Sequence, residues 1–142
     1  MIILDTNVLS EIMKVTPSTR VIQWLGQYPL PQLFTTTISE AKILYGIELL
    51  PKGKRRTALE SAMETIFADD FKGRVLPFDS EAAHAFGRIA SGRRAAGRPV
   101  TEFDAQIAAI ASAHGAAVAT RNTMDFDGCG IAVLNPWNAD EQ

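Results

Sequence analysis

One cysteine, Cys129, and two histidines, His84 and His114, are all that this 142-residue chain offers to the softer metals. A lone cysteine excludes an intrachain disulfide and a cysteine-rich zinc site. Neither histidine lies beside a candidate ligand in sequence, which argues against zinc. So little thiol suits a reducing cytoplasm. Long apolar runs are missing too, and no basic leader precedes one, so a cytoplasmic protein with no membrane contact is expected. Charge of a single sign is also absent. The 14 Lys and Arg against 16 Asp and Glu leave a net charge of −2, so nucleic acid, if bound, must meet a local basic patch. There is no internal repeat, low-complexity run or linker. With 46% hydrophobic residues the chain can bury a core, and a single domain over 1–142 is expected.

What is present is organised around the opening stretch. Met1 to Leu4 are apolar, Asp5, Thr6 and Asn7 are polar, and Val8, Leu9, Ile12 and Met13 follow at helical spacing. This reads as a buried strand that stops at Asp5 and turns into a helix. A parallel strand presents its C-terminal end to the ligand crevice of an open α/β sheet. Asp5 is also a favoured helix cap, so one residue alone does not decide between site and cap.

Further along, strands and helices alternate. Helices are expected after Thr16-Pro17-Ser18 and from Ser39-Glu40. A basic turn over 51–56 precedes another around Leu59 and Phe67, and a long one begins at Ser80. Gly92, Gly97 and Pro99 break that pattern, and Thr101 caps an Ala/Ile-rich helix that Gly115 stops. Strands are expected at 32–37, 74–78, 116–120 and 131–134, with a short helical turn at 124–126. The alternation predicts an α/β fold, a mostly parallel sheet of about five strands with helices on both faces.

Asp5, Glu40 and Asp125 follow strands, and Asp104 starts a helix leading into one. Each has an ordinary alternative: dipole complement for Glu40, capping box for Asp104, turn residue for Asp125. In a parallel sheet, however, these positions share one edge. Crowded carboxylates resist full ionisation, and a hard cation such as Mg²⁺ or Mn²⁺, which prefers oxygen ligands, relieves the repulsion. Such an all-oxygen site serves metal-assisted phosphodiester hydrolysis.

The stretches MIILDTNVLSE, TTTISEAKILYGI and RPVTEFDAQIAAIASAHGAAVATRNTMDFDGCGIAVLNPW occur in that order over nearly the whole chain. Together they resemble the PIN domain, and more narrowly the VapC toxins and their FitB-like relatives. The resemblance implies a PIN-like three-layer α/β/α fold and a Mg²⁺-dependent, sequence-selective endoribonuclease, with Mn²⁺ as the alternative ion. It implies the toxin of a type II toxin–antitoxin pair: a small antitoxin partner, a homodimer, and operator DNA met only through the antitoxin. It carries over Asp5, Glu40 and Asp104 as the acidic core. Many relatives have Thr-Asn-Asp after the fourth strand. Here Thr120-Arg121-Asn122 stands there and Asp125 comes three residues later, so the fourth position falls either to Asn122, as a departure from the pattern, or to Asp125, compensating for it. Thr6, Thr120 and Asn122 are expected to orient carboxylates or water.

RNA needs cations, and Arg88, Arg93, Arg94 and Arg98 cluster just before the Asp104 helix. They are the expected RNA-binding group. Trp24 and Trp137 are read as core or interface rather than as base-stacking rings. Ile12, Val21, Trp24 and Leu25 look like more apolar surface than one core needs, which points to a partner. The competing readings are a catalytically silent PIN-like module that acts by binding a partner or RNA, and a phosphatase-type enzyme with Asp5 as nucleophile. The second lacks an acid close to Asp5 for leaving-group protonation. The first gives no reason to keep repelling carboxylates together.

Overall fold

The computed structural model describes residues 1–141, and the side chains of residues 1–138. Five short strands, β1 (Ile2–Leu4), β2 (Leu33–Thr36), β3 (Val75–Leu76), β4 (Ala117–Ala119) and β5 (Val133–Leu134), form one sheet in the order β3-β2-β1-β4-β5. Every pairing is parallel. The helices are α1 (Thr6–Ile12), α2 (Thr19–Leu25), α3 (Thr37–Glu48), α4 (Lys54–Glu64), α5 (Ser80–Ala95) and α6 (Glu102–His114).

Strand alternation sorts the core into two halves. Ile2 and Leu4 point to one face, where they pack with Val8, Leu9, Val21, Trp24, Ile43, Ile47, Met63 and Phe67 from α1 to α4 and the turn after α4. Ile3 and Val118 point to the other, against Ala85 and Ile89 of α5 and Ile107 and Ile110 of α6. The result is three layers, α/β/α. Because β1 and β4 are central, their residues are almost wholly apolar, as a strand covered on both faces requires.

Several boundaries differ from the sequence expectation. Helix α3 starts at Thr37 because Thr36, not Ser39, is its cap, accepting from the Ser39 N–H at 3.1 Å. Asp79 rather than Ser80 caps α5, accepting from the Ala82 N–H at 3.0 Å. Gly92 does not break α5, which runs on to Ala95. A helical glycine costs only about 1 kcal/mol, and buried Ile89 and Arg93 on either side anchor that turn. Val21 and Trp24 are buried in the chain's own core, so they are not the surplus apolar surface expected of a dimer face.

The chain order matters for the site. It runs outward from β1 through β2 to β3, then returns to build β4 and β5 on the other side. The order reverses between β1 and β4, and open α/β sheets bind ligands at the carboxyl end of such a switch point. The β1–β4 register, Leu4 opposite Ala119, brings Asp5 and Thr120 side by side there. Helix α6 closes the layer behind it. Its C-terminal turn ends on Gly115 at φ +62°, the left-handed conformation a side chain disfavours.

Ile107 is fully buried in the α5–α6 half of the core. Ile107→Ala should destabilise the fold by about 2–5 kcal/mol in chemical denaturation, the range for large-to-small core changes.

Candidate active site at the carboxyl edge

Asp5 ends β1 and caps α1, and its two oxygens do different jobs. Oδ1 accepts from the Thr6 N–H at 2.8 Å. Oδ2 accepts from the Thr120 hydroxyl at 2.8 Å and, more loosely, from Asn7 Nδ2 at 3.4 Å. The Thr120 oxygen itself accepts from Asn7 Nδ2 at 3.2 Å and from the Asn122 N–H at 3.1 Å. A hydroxyl has two acceptor sites and one proton, so that proton is directed to Asp5. Asn7 Oδ1 accepts from the Arg121 N–H at 3.3 Å and fastens the loop after β4 to α1. Asp5 thus faces donors on both oxygens.

Burial is the first cause that pushes the Asp5 carboxyl above the ordinary carboxylate range. The Thr120 and Thr6 donors pull it back, while the nearby Asp104 charge adds to the rise. Asp104, in the first turn of α6, is half-buried and shifted the same way, again first by burial, with the Asp125 charge adding to it. Lys42 opposes both shifts. Asp5, Asp104, Asn122 and Asp125 line one open cleft of about 620 Å³.

The other expected residues fall differently. Thr6 lines the cleft, but its hydroxyl donates to Ser39 Oγ at 3.0 Å and so ties α1 to α3 rather than holding a carboxylate. Glu40 sits in the first turn of α3 and lines a neighbouring groove with Leu44, Met63 and Phe67. From α3 the cleft receives Lys42 instead. Among the described residues no three acidic, His or Cys side chains converge as a ready-made metal cage.

The arginine group divides. Arg93 is buried, which removes it from any RNA-binding surface. Its guanidinium donates to backbone carbonyls of Arg98 (2.7 Å), Met124 (3.4 Å), Asp125 (3.3 Å) and Asp127. Arg88, Arg94 and Arg98 are exposed but do not line the cleft, and Arg98 pairs with Asp127 at 3.3 Å. The cleft's own cations are Lys14, Lys42 and Arg121. Asn7 was missed as a partner for Asp5, although its place in the same turn was a signal for it. Nothing in the sequence pattern marks Lys42, because helix packing alone decides which side of α3 faces the cleft.

A family model described as the PIN domain matches residues 2–128. The chain belongs to the PIN-domain family. Within it, the chain is 37% identical over 137 residues to a VapC ribonuclease, Y4jK, of Sinorhizobium fredii, covering 96% of this chain and 98% of that one. It is 38% identical over 138 residues to the toxin FitB of Neisseria gonorrhoeae, covering 97% and 99%. A solved structure of FitAB bound to an IR36 DNA fragment superposes with a TM-score of 0.90 at 38% identity, covering 97% of this chain and 96% of that one. In this PIN domain, the strand-end acid of the opening stretch and the acid of the Ala/Ile helix meet in one cleft.

Two expectations follow for the protein without divalent ions. Thr120→Val removes the hydroxyl donor to Asp5 Oδ2 and should cost about 1–3 kcal/mol in thermal or urea unfolding, the range for a buried acceptor left unpaired. Thr120→Ser should retain most of the stability. The second concerns pH. The folded-state pKa of Asp104 lies above its unfolded value of about 3.9, so its ionisation weakens the fold. That contribution is fully present below the unfolded value and is lost as pH rises through the folded one. Asp104→Asn should therefore melt higher than the wild type near neutral pH in EDTA, with the gap closing as the pH approaches about 4. Asp5→Asn is a poorer choice, because either amide orientation sets an NH₂ against an existing donor.

Proposed function

We propose that this PIN domain is a metal-dependent endoribonuclease, the toxin of a toxin–antitoxin pair. The observation that carries this reading is the meeting of Asp5 and Asp104 in one cleft at the switch point of the sheet. Both carboxyls are pushed up, and a cation would relieve both. Mg²⁺ is commonly held by one or two carboxylates together with water and substrate phosphate, and the oxygen donors of Asp5 and Asp104 suit Mg²⁺ or Mn²⁺.

Asp5, Asp104 and Asp125 face the cleft and form the inner set. Glu40, on the groove side of α3, belongs to the set at one remove, through water. When bound there, the ion supplies Lewis acidity to a phosphoryl oxygen and lowers the pKa of water. The chain's own groups do the rest. The Thr120 hydroxyl and the Thr6 N–H fix the direction of the Asp5 carboxylate, and Asn122 steadies Thr120 through its N–H and lines the cleft. Lys14, Lys42 and Arg121 neutralise the phosphate backbone of a bound strand. Exposed Arg88, Arg94 and Arg98 contribute longer-range attraction only.

The names of the relatives, a VapC ribonuclease and a FitB toxin, support the activity, and the FitAB assembly supports a partner. A small antitoxin would hold the enzyme inactive, and operator DNA would be reached through it. Exposed Leu44, Tyr45 and Leu49 on and just after α3 offer apolar surface for such a partner or for a homodimer. No helix among the described residues is long and apolar enough to cross a membrane.

The test is RNA cleavage with Mg²⁺ or Mn²⁺ titrated against EDTA. Cleavage should require the added ion. Asp104→Asn should lower it by at least about 10- to 100-fold, the loss typical of residues that merely orient metal ligands, while remaining folded. Metal-independent cleavage, or an unaffected Asp104→Asn, would overturn the mechanism. Bound but uncleaved RNA would return the chain to the silent binding module.

A further inference from the structure

Two of the cleft's cations each sit beside an aromatic ring, and the rings have no part in the chemistry described above. Lys42 Nζ lies 5.7 Å from the centre of the Phe103 ring, and the Arg121 guanidinium lies 5.1 Å from that of Trp137. All four residues line the cleft with Asp5 and Asp104. In the sheet order, the strands that lead to the two cations lie on either side of β1. Lys42 follows β2, Arg121 follows β4 and Trp137 follows β5, while Asp5 ends β1 between β2 and β4. Strands β2 and β4 are two sheet spacings apart, about 10 Å.

Neither ring is explained by the core alone. Phe103 is 50% exposed in the first turn of α6. Trp137 leans on the core but keeps part of its surface in the cleft. Its backbone is pinned, since its N–H donates to Asn135 Oδ1 at 2.9 Å and its carbonyl accepts from Arg20 at 3.1 Å. With its backbone fixed, the ring rests between the core and Arg121. A ring beside a cation matches one nucleotide of a single strand: the ring offers a face to the base and the cation meets the adjacent phosphate.

We propose that Phe103 with Lys42, and Trp137 with Arg121, are two base-stacking subsites that flank the Asp5–Asp104 centre. This rests on the ribonuclease reading and narrows it. In a duplex the base faces are covered by neighbouring pairs, so these subsites select unpaired RNA. Stacking accepts every base, so the two rings hold the strand and leave finer sequence choice to other contacts. The scissile phosphate is the one between the stacked nucleotides.

The test is equilibrium binding in EDTA of short oligoadenylate and oligouridylate, an abasic ribose-phosphate oligomer of the same length, and a duplex. Tryptophan fluorescence reports Trp137, because Trp24 is only 2% exposed in the core. Both base-bearing single strands should quench it; the abasic oligomer and the duplex should not. Phe103→Ala and Trp137→Ala should each weaken single-strand binding by about 10-fold or more, the range for losing one base–aromatic stack. Phe103→Tyr and Trp137→Phe should restore it. The alanine changes should leave the weaker abasic binding in place. If Trp137→Ala proves unstable, the half-exposed Phe103 carries the test by itself. Unchanged single-strand affinity in the Phe103→Ala variant, or equal binding of the abasic oligomer by the wild type, overturns the subsites. Continued metal-dependent cleavage in that case would leave the ribonuclease reading standing. A wild type that cleaves no RNA with either metal overturns both.

Discussion

The carboxyl edge of this sheet depends on where one proton points, that of the Thr120 hydroxyl. Asn7 and the Asn122 N–H occupy both acceptor positions of its oxygen, so the proton is left for Asp5 Oδ2. That bond joins the residue after β1 to the residue after β4, the two strands on either side of the chain reversal. It also makes a buried carboxylate tolerable, since an ion taken out of water needs donors in place of its hydration. The cap of α1 and the orientation of Asp5 are therefore one arrangement. One oxygen satisfies the helix, and the other is aimed by the neighbouring strand.

Around that bond the cleft mixes charges from separate elements. Asp5, Asp104 and Asp125 come from β1, α6 and the turn after β4, with Lys42 from α3 and Arg121 from beyond β4. Glu11 of α1 is buried at the margin, held below the usual range first by Lys14 at 3.1 Å and helped by the Ser18 N–H. Two acids remain pushed up despite the cations, first because burial takes them out of water. Arg93 works on a different level. Its guanidinium collects backbone carbonyls from the segment before α6 and from the turn that carries Asp125. It ties the segment before α6 to the turn whose Phe126 is buried in the core.

The fold was largely legible because its signals are local. Four apolar residues before a carboxylate read as a buried strand, Thr101 and Gly115 bracket α6, and alternation of strands with helices implies a parallel sheet. Boundaries were missed where two caps competed over a few residues, as with Thr36 against Ser39 and Asp79 against Ser80. Gly92 was misread because glycine lowers helix stability by less than packed neighbours restore. The arginine cluster shows the limit of composition: four cations of one type close in sequence include one buried residue bound to carbonyls and three exposed ones outside the cleft.

By itself, the sequence determined that Asp5 and Asp104 stand where strands and helices turn over, and that family membership would assemble them at one edge. Backbone propensity and hydrophobic period act over a few residues, so those features survive without coordinates. Only the tertiary structure decided which charges share the cleft. Strand order put Asp5 beside Thr120, packing turned Lys42 toward the acids and Glu40 toward the neighbouring groove, and the fold brought Arg121, Trp137, Lys42 and Phe103 into one cleft. These are distances between residues far apart in the chain. They are set by which faces the core buries, and no local pattern encodes them.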